Sequence, residues 1–392
     1  MWVLILCNLA YKKQKSMRLL TITLFASISF GSPNWITPPE RSSKGYLVPQ
    51  PDYNPVFPRD HGPHTGYGIE WWYWVGHLKS SSDDNQYGFQ STIFRVAGSP
   101  ASASLPQKSS FGNRQLYIAH AGLSNISLQK YTHYERTFRE GWQVRIKPEQ
   151  LSLQVGGIHA QHTPEEDSFR LSTNYPDGSR LDLKLIPQKP LVRFGDRGVS
   201  RKGSNPASVS WYWSYTNLSA SGVLKTNDRE IKVHGNVWMD HEVSSSQLSK
   251  EMEGWDWTCI QLNDGTEVMA YRLRRKSGAE DKWSSINWID ENGAVVKAYS
   301  EDFNWGTFEH WKSSQTGLKY PTHVEITAKH PSKGELVYKL KPMIPDQEFY
   351  GNESSNPYWE GACKVFDQKN KEIGRAYLEL AGYGGGLQSM LN

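Results

Sequence analysis

Residues 235–243 read Gly-Asn-Val-Trp-Met-Asp-His-Glu-Val, so Asp240, His241 and Glu242 are consecutive and Trp238 lies just before them. Two carboxyls flanking an imidazole are the parts of a proton relay, with an acid to donate, a base to accept and a histidine between them. A second stretch, residues 68–77, sets Glu70 and His77 around Trp71, Trp72 and Trp74. A carboxyl beside tryptophans in a dry cavity loses the hydration of its charged form, and its pKa rises. Glu70 is then expected as a general acid held protonated until needed. The competing expectation is a strand-end carboxylate paired with an arginine such as Arg95.

Both stretches read as strands, where alternate side chains share a face. Trp238, Asp240 and Glu242 should point one way, and Met239, His241 and Val243 the other. Glu70, Trp72, Trp74 and Gly76 should likewise oppose Trp71, Tyr73, Val75 and His77. A regular strand therefore cannot present Asp240, His241 and Glu242 as one unit without a bulge or a strand end. The structural alternative has Asp240 and His241 bonding backbone at a junction between domains.

The rest of the chain also alternates with period two, in segments such as QYGFQSTIFRV, QLYIAHAGL, RLDLKLIP and SVSWYWSYT, with polar turns between them. Helical periodicity is nearly absent, and residues 245–253 are the best short candidate. Many short antiparallel strands imply a sandwich or barrel. A repeat sharpens this expectation. Gly222 and Gly235 enclose twelve residues with a polar turn, as do Gly361 and Gly374; Trp238 and Asp240 follow the first pair as Tyr377 and Glu379 follow the second. Two similar β-domains are expected, over 47–243 and 244–390.

Composition narrows the classes further. The chain has 392 residues with 16 Trp, 20 Tyr and 13 Phe, enough aromatic area for a thick β core or an aromatic binding surface. Lys12, Lys13, Lys15 and Arg18 precede or open an apolar run from Leu19 to Phe30, the pattern of a secretory signal over 1–31, with Met17 as the natural start. Those four residues account for the formal +4, and a neutral mature chain argues against nucleic acid as partner. Export, to the periplasm, is expected. Cys259 and Cys363 are expected as free core thiols, an oxidised pair being the alternative in an exported chain. Asp60, His61 and His64 have metal-ligand types on a Pro/Gly loop, but a zinc site would need a third ligand nearby; no metal or cofactor is expected. Neither a Gly-x-Ser-x-Gly elbow nor a phosphate loop is present, so serine-hydrolase and nucleotide chemistry lack support.

The motifs EWWYWVGHL, GFQSTIFR, YIAHAGLS, VWMDHEVS, GWDWTCIQLNDGTEVMAYRLRR and YWEGACKVFDQKNKEIGRAYLELAGY, in this order, resemble the AttH/CrtC superfamily of lipocalin-like proteins over about residues 50–385. The resemblance implies an all-β fold of two lipocalin-like antiparallel β-barrel domains packed together. Its members include carotenoid 1,2-hydratases, relatives of fungal pericyclases, and exported bacterial proteins labelled predicted secreted hydrolases; this chain resembles the last group most. The hydratase branch carries His-Asn-Trp where this chain has His241-Glu242-Val243, and Tyr-x-Asp where it has Tyr271-Arg272-Leu273. The histidine and tyrosine match, whereas the tryptophan and the second carboxylate do not. On this basis His241, Asp240, Glu70, Glu242 and Tyr271 are the expected catalytic groups. Trp72, Trp74, Trp238, His120, Trp255 and Trp257 are the expected walls of a hydrophobic ligand site. The expected activity is acid–base hydration or isomerisation of an isoprenoid or lipid-like ligand. The alternatives are a periplasmic lipid carrier working with a membrane transport complex, and a carbohydrate-binding protein using exposed tryptophans.

Overall fold

The computed structural model describes residues 33–98, 115–141, 143–351 and 356–385. The expected signal over 1–31 and the start at Met17 lie outside these residues. Two antiparallel sheets, each a nearly closed barrel, dominate the fold. The first has thirteen strands, from Ile69–Ser80 to Glu230–Ser244; the second has ten, from Met252–Leu262 to Glu372–Ala381. Helix among the described residues is limited to the 3-10 turns Arg59–His61 and Pro164–Glu166.

The expected helix over 245–253 does not form. So short a segment gains little from helical hydrogen bonds alone. Instead Leu248 and Met252 bury themselves in the apolar cluster that joins the two sheets.

The sequence repeat has a structural counterpart. In the first sheet the strands Lys130–Arg139, Gln115–Asn125, Gln86–Ala97, Ile69–Ser80, Glu230–Ser244 and Val209–Lys225 are neighbours in that order. The second sheet follows the same path through Val295–Tyr299, Ser285–Ile289, Glu267–Arg275, Met252–Leu262, Glu372–Ala381 and Tyr358–Phe366. The glycine-bounded segments are the equivalent hairpins. Gly222 and Gly235 are required by close approach, since a Cβ at either would lie 1.9 Å from the carbonyl oxygen of Asp182 or His77.

The central strands are buried on both faces, so their alternation separates one covered face from another and not a core face from a wet one. From Ile69–Ser80, Trp72, Trp74 and Leu78 fill the first barrel. Ile69, Tyr73 and Val75 from the same strand belong to the cluster between the barrels. A separate cluster that includes Ile260, Ile286, Ile326 and Trp359 fills the second barrel. Cys259 and Cys363 are free and buried, Cys259 between the barrels and Cys363 inside the second.

Candidate functional site

The two faces of the strand Glu230–Ser244 carry two different polar sites. Its register is regular against Ile69–Ser80, with Asp240 opposite Tyr73 and His241 opposite Trp72. Asp240 and Glu242 therefore face the second sheet, and His241 faces into the first. The consecutive residues do not act as one cluster.

On the inward side, Glu70 is the centre of a buried ion network. Its Oε1 accepts from His64 Nδ1 and His241 Nε2, each at 2.8 Å. Its Oε2 accepts from Arg95 Nε at 2.9 Å and from the His64 backbone N–H at 2.8 Å. Burial opposes the charge on Glu70, but Arg95 and His64 outweigh it and hold the carboxyl well below its usual range. This corrects the expectation of a protonated Glu70: the group is an arginine-paired carboxylate. Burial likewise opposes charge on His64, yet Glu70 and Asp60 push its pKa up to about 9. His241 goes the other way, because burial outweighs its bond to Glu70 and lowers its pKa.

His64, Glu70 and His241 each offer a ligand atom within 4.8 Å of the others, so the loop histidine does meet partners. Both oxygens of Glu70 are already engaged with Arg95, the two rings and a backbone amide, filling the positions a carboxylate offers. As placed, the three side chains form a hydrogen-bonded ion network centred on Glu70. Trp72 stacks on His241 with centroids 4.9 Å apart and donates to the His61 carbonyl at 3.0 Å.

On the other face, a cavity of about 110 Å³ lies between the two sheets. Asp240, Glu242, Tyr271, His120, Trp255 and Trp257 line it, six of the residues singled out in the sequence. Trp72 and Trp74 do not, because their strand parity turns them into the first barrel. Trp238 is not part of the lining either; it is buried, and its Nε1 donates to Asp240 Oδ1 at 2.6 Å. These three placements correct the expected ligand-binding wall. The tryptophan contributed by the strand Ile69–Ser80 is Trp71, with Tyr73 beside it.

The cavity is acidic in an unusual way. Asp240 accepts from Tyr212 Oη at 2.8 Å, from Trp238 and from Ser214 Oγ. Burial still outweighs these bonds and pushes its carboxyl up to about 7. Glu379, opposite Glu360 on adjacent strands, is also raised to about 7 by burial. Glu360 is raised well above its ordinary value by burial and then by Glu379, and Tyr73 Oη donates to its Oε1 at 2.5 Å. Two carboxyls so close in a dry site cannot both ionise. Near neutrality the cavity thus holds a protonated Glu360 and part-protonated Asp240 and Glu379 among aromatic rings. Glu242 differs: Lys202 Nζ lies 3.1 Å from its Oε1, and also 4.7 and 4.9 Å from the ring centres of Tyr212 and Tyr271.

Sequence reasoning missed Glu360, Tyr358, Lys202 and Gln90, which line the cavity from distant segments. For Glu379 a signal existed, since the internal repeat aligns it with Asp240.

A family model for AttH-like proteins matches residues 48–383. A crystal structure described as AttH from Nitrosomonas europaea superposes with a TM-score of 0.76 at 29% identity, covering 87% of this chain and 99% of that one. The crystal structure of kievitone hydratase from Nectria haematococca superposes with a TM-score of 0.64 at 13% identity, covering 90% and 98%. No curated protein sequence matches. The family match spans both barrels and every residue of the cavity except Gly385, and the chain belongs to the AttH-like family.

Proposed function

We propose that the protein is an exported enzyme that takes an apolar, alkene-bearing ligand of isoprenoid or polyene type between its barrels and adds water across a double bond. One observation carries this reading: Glu360, with Asp240 and Glu379 nearby, lines an aromatic cavity where burial holds all three carboxyls above their ordinary range, Glu360 furthest and the other two to about 7. Protonating an alkene carbon needs an undissociated acid close by, and burial keeps these carboxyls undissociated to higher pH than in water. The cation formed needs electron-rich surfaces, and Trp71, Trp255, Trp257 and Tyr271 line the space. Each well-placed ring contributes about 0.5–2 kcal/mol. A protein named for hydratase activity shares the fold, which agrees with the proposal at the level of architecture.

The test is incubation with kievitone, acyclic isoprenoids and linear polyenes in H₂¹⁸O, followed by mass spectrometry. The proposal expects ¹⁸O in a product, with the rate falling about 10²–10⁴-fold in Asp240→Asn or Glu379→Gln. Stoichiometric binding of one of these ligands without ¹⁸O entry would replace the enzyme with a lipid carrier. Failure to bind any of them would remove the hydrophobic-ligand reading altogether.

A further inference from the structure

Beside the acids, Tyr358, His120 and Glu135 are arranged in series. His120 Nδ1 and Tyr358 Oη are 2.9 Å apart, and Gln90 Nε2 donates to the same phenol oxygen at 2.8 Å. With the amide donating to that oxygen, the phenol is free to donate its own proton to Nδ1 of His120, the direction the base role requires. In that direction Nε2 carries the ring proton; it lies 3.4 Å from Glu135 Oε2, an electrostatic contact without hydrogen-bond geometry. The three side chains are buried, and Phe349 stacks on the imidazole with centroids 4.5 Å apart. Tyr358 and Glu360 are two apart on one strand and line the same cavity.

We propose that Tyr358, His120 and Glu135 form the base half of the site and activate the water that captures the cation. Tyr358 meets that water, His120 receives the proton, and Glu135 is a positioning residue whose nearby carboxylate favours a proton on Nε2. The arrangement follows the logic of a carboxylate–histidine–hydroxyl triad, with a phenol in place of the serine. The inference rests on the hydration reading above and assigns the base that reading leaves open.

Glu360 gives its proton to one alkene carbon, using the π electrons to form the C–H bond and leaving a cation on the other carbon. Water oxygen bonds to that cation while passing a proton to the oxygen of Tyr358. The phenol's original proton moves to Nδ1 of His120, giving an imidazolium opposite Glu135. Loss of that proton to solvent and reprotonation of Glu360 restore the site, with one water added.

Two half-reactions can be separated by isotope, using lycopene and squalene as probes. Alkene protonation puts deuterium from D₂O into recovered alkene, while water capture puts ¹⁸O into product. Tyr358→Phe is expected to keep deuterium entry and to lose ¹⁸O entry by about 10²–10⁴-fold. Undiminished ¹⁸O entry in Tyr358→Phe would overturn the triad and leave the acid reading intact. If neither isotope enters with wild-type protein, the hydration reading fails, and the base role with it. A substrate-free measurement checks the geometry. The ¹⁵N spectrum of His120 should show Nε2 protonated, and Glu135→Gln should weaken that preference. An Nδ1–H tautomer in wild-type protein would sink the proposal.

Discussion

Asp240 and His241 are adjacent in the chain, yet Asp240 opens onto the cavity between the barrels while His241 bonds Glu70 inside the first barrel. Their substitutions should therefore have different consequences. His241→Ala removes a buried bond to an ionised carboxylate and should cost about 2 kcal/mol of stability. Asp240→Asn should leave stability near neutral pH almost unchanged and lower ¹⁸O incorporation about 10²–10⁴-fold. Thermal melts and isotope assays on both variants check the contrast; equal loss of stability would contradict it.

Glu70→Gln should be among the most damaging single changes. It leaves Arg95, with a fully buried side chain, without its carboxylate partner. Breaking a buried pair from one side typically costs about 3–5 kcal/mol, because the remaining charge is uncompensated. Urea denaturation should show a large fall in midpoint, whereas Glu372→Gln, which loses only half-exposed partners, should barely move it.

The raised acids make a signed prediction for pH. The native state holds protons on Asp240 and Glu379 up to about pH 7, while the unfolded chain releases them near 4. Between these values the native state binds more protons, so the contribution of these groups to stability falls as pH rises. It is fully present below about pH 4 and lost by the time pH passes 7. Glu379→Gln should thus gain on wild type as pH increases from 5 to 8.5, measured by denaturant midpoints at both values. A constant difference would show that Glu379 is ionised throughout.

The contact between barrels can be probed without touching a polar group. A Cβ at Gly88 would lie 2.7 Å from Ala362 Cβ and 3.1 Å from Tyr377 Oη, so two strands from different barrels approach through a missing side chain. Gly88→Ala should cost about 1–3 kcal/mol by overpacking. Intrinsic tryptophan fluorescence should also report a change around Trp255 and Trp257, which line the neighbouring cavity.

Part of this organisation is local and therefore legible in residue order. Period-two alternation identifies the strands, and with them the opposite facing of Asp240 and His241, because side-chain direction in a strand depends only on parity. The glycine-bounded hairpins 222–235 and 361–374 expose the repeat, because close approach of a neighbouring carbonyl leaves no room for a Cβ at Gly222 or Gly235. Which face counts as a cavity is not local. Both faces of the central strands are apolar, so Trp71 and Trp72 look equally suited to line a pocket until the second barrel covers one side. The charge of Glu70 and of Glu360 was likewise undetermined by their neighbours in sequence. Each is a buried glutamate beside aromatic residues, but Arg95 reaches one and Glu379 the other. Coulomb interactions depend on distance through space, and only the tertiary structure sets those distances.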